Sequence, residues 1–178
     1  GSNHYHDSYA VKDSYLFSKF YSCWGWATWK RSWQYMDFEM TWLDSENKIE
    51  IIENIGYGKA SHWYNKNNIR NIRGNVIDAW DFQWCFSLAS QNQLCIFPQK
   101  NLVSNIGFGE EATHTTGKAK KNYGLVENLT FPLKHPNYVL ANKSFDKIYE
   151  KNKVRRQLIL GLFPQNLKNT IKKILFRK

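Results

Sequence analysis

The chain has 178 residues, 42% apolar and 16% aromatic, enough to bury a core and too apolar for a disordered tail. No apolar run approaches the ~20 residues that cross a bilayer. Three cysteines with no C-x-x-C pair argue against a disulfide framework or a structural zinc site and point to a reducing compartment. The +10 net charge is lopsided: residues 1–150 carry 16 basic and 15 acidic side chains, residues 151–178 nine basic and none acidic. That distribution speaks against a nucleic-acid partner and for a phosphate-rich surface such as an anionic membrane.

The opening "GSNHYHDSYAVKDSY" has neither an initiator Met nor an apolar signal core, so the chain is expected to be a piece of a longer protein. His4 and His6 would share one side of a strand, but two histidines without further ligands do not make a metal site. Next comes "CWGWATWKRSW", with four tryptophans within ten residues. Trp26, Trp29 and Trp33 are spaced i, i+3 and i+7, which predicts one face of a helix. Gly25 permits an irregular turn and close approach by a ligand. Trp24 and Trp26 can therefore line a cleft while Trp29 and Trp33 pack inside; the alternative is that all four belong to the core.

Residues 46–55 place Ile49, Ile52 and Ile55 at helical intervals, and the glycines of "GYGK" end that helix. In "NVIDAWDFQWCFSLASQNQ", Asp78 is expected to cap a helix that turns Trp84, Cys85 and Leu88 inward. Asp81 would either complete a capping box or serve as a base that takes a proton from a bound hydroxyl. Trp80 and Trp84 flank it, and indole faces beside a carboxylate suit a sugar, whose C–H faces stack while its hydroxyls are held. "LCIFP" predicts a short buried strand, and "NLVSNIGFGEEATHT" a strand entering a glycine-bearing loop.

In that loop, His114 could meet a metal with Glu110 and Glu111 if the loop folds back, or simply face solvent. Gly107 and Gly109 lack the spacing of a phosphate cradle, and no serine or cysteine triad is readable. Residues 118–142 predict only loop and extended connection. After Pro164, Leu167, Ile171, Ile174 and Leu175 oppose Lys168 and Lys172, which predicts a basic amphipathic helix suited to a surface. The organisation expected is a domain over 1–150 and a basic tail over 151–178.

"YLFSKFYSCWGWATWKRSWQYMD" and "IDAWDFQWCFSLASQNQLCIFPQKNLVSNIGFGEEATHT" resemble the C-terminal, acceptor-side half of bacterial family 2-type glycosyltransferases with the GT-A fold, over roughly residues 1–116. The resemblance implies an α/β fold, a partial GT-A (nucleotide-diphospho-sugar transferase) domain with a mixed sheet and flanking helices. It also implies an inverting transfer of sugar from a nucleotide-diphosphate donor to a glycan or lipid-linked acceptor in surface polysaccharide assembly. Asp81 occupies the position of the catalytic base, with Trp80 where a glutamate often sits. Asn105 or His114 would lie near the diphosphate or its divalent metal, Mg or Mn. The family's D-x-D metal motif appears nowhere in this chain. The implied location is cytoplasmic, peripheral at the inner face of the plasma membrane. A non-catalytic carbohydrate-binding module is the alternative, since it would need the aromatics without the base.

Overall fold

The computed structural model describes residues 2–3, 9–104, 106, 126–161 and 167. In chain order they form β1 (Tyr15–Ser18), α1 (Lys30–Trp33), a 3₁₀ turn (Thr41–Asp44), α2 (Lys48–Asn54), α3 (Lys59–Arg73), α4 (Trp80–Ser90), β2 (Cys95–Pro98) and α5 (Lys143–Gly161). The arrangement is mixed α/β, and its small sheet pairs β1 and β2 antiparallel.

Helix α4 is central because it is apolar on more than one side, the pattern of a helix enclosed by its neighbours. Phe86 joins Met40, Trp42, Ile52, Ile55, Ile69 and Ile72 in one core cluster, while Trp84 and Leu88, one turn apart, join Tyr21 in another. Cys85 packs against both clusters, so the inward positions of Trp84, Cys85 and Leu88 agree with the sequence pattern. Helix α2 likewise buries Ile52, and Ile55 just beyond it, but leaves Ile49 exposed.

Helix α3 has no counterpart among the sequence expectations. Its buried stripe is Ser61, Tyr64, Asn65, Asn68, Ile69 and Ile72, a clean helical spacing written mostly in polar residues. Asn65 Nδ2 donates to the Ile55 carbonyl at 3.1 Å, whereas Ser61 Oγ and Asn68 Nδ2 are buried with no hydrogen-bond partner.

Strand β1 alternates, with Leu16 and Ser18 inward and Tyr15 and Phe17 less buried, and Leu16 faces Phe97 across the ladder. Leu16, Phe97, Val11 and Phe145 form the third core cluster. On the other edge of β1, Phe17 makes a single parallel bridge to Ala141, and Asn142 N donates to the Phe17 carbonyl at 2.8 Å. Asn142 then caps α5: its Oδ1 accepts from Phe145 N at 3.0 Å. The helix runs through residue 150 without a break.

Asp146, on the first turn of α5, is fully buried where three segments meet. Its carboxylate accepts from Ser18 Oγ at 2.5 Å, from Lys19 N at 3.2 Å and from the Tyr57 hydroxyl at 2.8 Å. One turn on, Glu150 Oε1 accepts from Tyr57 N at 2.8 Å. Burial and these two acids together push the Tyr57 phenol up, burial most.

Three sequence expectations are corrected here. The helix predicted across Trp26–Trp33 is one turn, starting only at Lys30. Asn101–Ser104 is not a strand; Asn101 instead spends its side chain on Asn3 N and the Val103 carbonyl, both at 3.0 Å. Asp78 does not cap α4: Ala79 is the N-cap, with no side-chain cap bond, and Asp78 is exposed. The amphipathic helix expected after Pro164 lies outside the described residues, apart from Leu167.

Candidate functional site

Four indoles from two parts of the chain meet at the N-terminal half of α4. Trp80 and Trp84 are one turn apart on it, Trp33 ends α1, and Trp26 comes from the coil before α1. Trp26 lies 5.4 Å from Trp80 and 6.3 Å from Trp84 between ring centroids, and Trp33 lies 5.0 Å from Trp84 and 6.4 Å from Trp80. The rings are tilted or edge-on, as their quadrupoles favour. Two hydrogen bonds hold the segment after α1 on α4 and so press Trp33 into place: Asp37 N donates to Ser87 Oγ at 3.0 Å, and Gln83 Nε2 to the Phe38 carbonyl at 2.7 Å.

Gly25 sits in the turn that delivers Trp26. Its φ is +54°, and a Cβ built there would lie 2.3 Å from Val103 Cγ2. The close approach that glycine permits is therefore to Val103 in the following loop. Gly25→Ala is expected to cost about 2 kcal/mol or more, from the left-handed backbone and the displaced valine together. A thermal melt unchanged from wild type would contradict this packing.

Beside the indoles opens a cleft of about 310 Å³, at the small end of the range for ligand sites, about 300–1,000 Å³. Trp84, Leu88 and Tyr21 line its base, residues 26–29 and Ser32 form one side, and residues 93–97 the other. Ser22, Thr28, Ser32 and Gln93 supply neutral hydroxyl and amide groups, and no charged side chain lines it. Burial, and secondarily the charge of Asp81, push the Tyr21 phenol up, so it stays a neutral hydroxyl at any physiological pH. Burial, with the charges of Cys85 and Asp146 behind it, raises the Cys95 thiol to about 12, which leaves it protonated and a poor nucleophile.

The predicted site residues divide by place. Trp26 and Trp84 line the cleft and also belong to the indole cluster; Trp80 belongs to the cluster alone. Asp81, in the first turn of α4, is half-buried next to Trp80 and acts electrostatically on Tyr21, yet it does not line the cleft. Trp24 and Gly25 do not line it either, and Asp78 is exposed ahead of the helix. Asn105 and His114 lie outside the described residues, as do Glu110 and Glu111. Among the described residues no three of His, Cys, Asp and Glu gather as metal ligands would.

Trp29 and Trp33, expected inside, are both exposed: Trp29 stacks under the Arg31 guanidinium, 4.9 Å from its ring centroid, and lines the cleft, while Trp33 completes the indole cluster. The i, i+3, i+7 spacing of Trp26, Trp29 and Trp33 does not make one helix face, because only Trp33 lies in α1: Trp29 is its extended N-cap and Trp26 precedes it in coil. Tyr21 was missed as well: alternation through "YLFSKFY" groups it with Tyr15 and Phe17, opposite the buried Leu16, Ser18 and Phe20, and it turns inward only because β1 ends at Ser18. Comparison of the chain with protein-family models, with curated proteins and with solved structures finds no match in any of the three.

Proposed function

We propose that this chain is the acceptor-side part of an inverting, family 2-type glycosyltransferase of GT-A fold, moving a sugar from a nucleotide-diphosphate donor to a hydroxyl of a glycan or lipid-linked acceptor in surface polysaccharide assembly. The observation that carries the reading is that Asp81, half-buried in the first turn of α4, directly follows Trp80, whose exposed indole packs with Trp26 and Trp33 near Trp84.

In this reading an acceptor ring lies on the outer indoles and presents its hydroxyl to Asp81. The Asp81 carboxylate takes the hydroxyl proton as the oxygen attacks the anomeric carbon, and the bond to the diphosphate breaks on the opposite face. A divalent metal, when bound, would offset charge on the departing diphosphate. The described residues of this chain do not form a site for it, so its ligands would come from a D-x-D elsewhere and from the loop that carries His114. Asn105 would contact the same diphosphate. The enzyme would work in the cytoplasm, with the basic tail over 151–178 near the inner face of the plasma membrane.

The test is Asp81→Asn in the product of the whole gene, assayed for transfer and, separately, for saccharide binding. Turnover is expected to fall about 100-fold with binding retained. Unchanged turnover would reject Asp81 as the base. A second reading, a carbohydrate-binding module without catalysis, draws support from the neutral, indole-lined cleft, which has no carboxylate in its walls. Saccharide binding by wild type with no transfer to any acceptor would favour it.

A further inference from the structure

We propose that residues 131–151 form a docking face for an anionic lipid bilayer, one that reaches the basic tail only at the tail's first residue, Lys151. Its apolar part is a projecting stretch of chain. Tyr138, Val139 and Leu140 are 75%, 70% and 71% exposed, and Phe131 is 74% exposed. Three successive residues all facing water cannot be the outer side of a strand, which would turn every second one inward.

The exposed charge along the helix that follows is cationic. Helix α5 begins three residues after Leu140, and Lys143, Lys147 and Lys151, all exposed, recur every four residues along it and so share one side. The only acids between residues 128 and 153 are Asp146 and Glu150. Both are turned toward the body of the molecule, Asp146 onto Ser18, Lys19 and Tyr57, and Glu150 onto the Tyr57 amide. The fold has thus placed its cations outward and its anions inward along this helix. Lys134 adds a further exposed cation beside Phe131, at 3.6 Å from Asp13.

The exposed apolar stretch and the cationic stripe together fit a bilayer: Val139 and Leu140 can enter the acyl boundary while Tyr138 and Phe131 sit at headgroup level, and no shape-matched groove is needed because the receiving medium is fluid hydrocarbon. The lysines match lipid headgroup charge over a distance of about one Debye length. The proposal does not depend on the transferase reading.

The experiment is sedimentation of the full chain with vesicles of phosphatidylcholine alone or with about a third phosphatidylserine, at low and high salt. Wild type is expected to partition onto the anionic vesicles and to lose binding as salt rises. Val139→Gln with Leu140→Gln should weaken that binding roughly tenfold, and Lys143→Gln with Lys147→Gln by a similar factor. All four positions are solvent-facing, so the melting temperature should stay near that of wild type, which confirms that the variants fold. If both double variants bind as wild type does, the membrane contact belongs to the tail alone and the proposal is overturned. It is equally overturned if wild type ignores lipid charge, or if this face retains a nucleic acid or protein while no vesicle binds.

Discussion

Trp84→Ala is expected to destabilise the protein by about 3–5 kcal/mol, measured by chemical denaturation. At 2% exposure Trp84 is among the most enclosed aromatic side chains of the described residues, and it contacts Trp26 and Trp33 on one side while flooring the cleft on the other. Its removal leaves a void beside Trp26 and Trp33 that cannot fully collapse, because Trp33 is tied through the segment held by Ser87 and Gln83. The contrasting substitution is Trp29→Ala. That ring is 54% exposed and touches chiefly Arg31 and the cleft, so the loss of stability should stay within about 0.5 kcal/mol. Saccharide binding should nonetheless fall roughly tenfold if the cleft takes a sugar. Equal stability losses for the two variants would mean that the indoles form one undivided core.

Asp146→Ala is expected to cost about 3 kcal/mol or more, because it strands the Ser18 hydroxyl, the Lys19 amide and the Tyr57 hydroxyl without their shared acceptor. Asp146→Asn should cost less, since one oxygen remains, but its NH₂ group would face at least one donor. The same residue gives stability a pH dependence. Burial raises the Asp146 carboxyl above its ordinary value, with the hydrogen bonds from Ser18, Tyr57 and Lys19 pulling the other way. The folded chain therefore holds this proton more tightly than the unfolded chain does. As pH climbs from the ordinary aspartate value, about 3.9, through the raised folded value, the contribution of Asp146 to stability falls. Below that window it is fully present. The stability difference between wild type and Asp146→Asn should therefore shrink as pH rises across the window, and a constant difference would refute the raised value.

How much of this was legible in the sequence depended on how each segment earns its burial. Helices α2 and α4 and strand β2 were readable because isoleucine, leucine and aromatic spacing carried the signal. Helix α3 was not, because its inward positions are Ser61, Asn65 and Asn68 as often as Tyr64, Ile69 and Ile72, and a hydrophobic template counts asparagine as surface. Helix α5 could have been found. Asn142 followed by Phe145 and Tyr149 is a cap and an inward pair, although Pro132 and Pro136 just before it signal only extended connection. At the site, Trp80 and Trp84 around Asp81 were legible from aromatic density at a helix start, whereas Trp26 was brought to the same region only by the family resemblance. That Asp81 lies outside the cleft was not legible, because sequence spacing fixes neighbours along α4 and says nothing about which of them the segment of residues 26–32 will cover.

The cleft is lined chiefly by two parts of the chain, residues 21–32 and residues 84–97, separated by about fifty residues. Neither of these could make a binding surface alone, so the concavity exists only while the tertiary structure is intact. Any molecule that occupies it must then act as a conformational lock on the native state, adding about 2.7 kcal/mol when present at a hundred times its dissociation constant. A melting-temperature screen of chemically diverse compounds would accordingly reveal the natural occupant by the delay it imposes on thermal collapse, with no assay of turnover required.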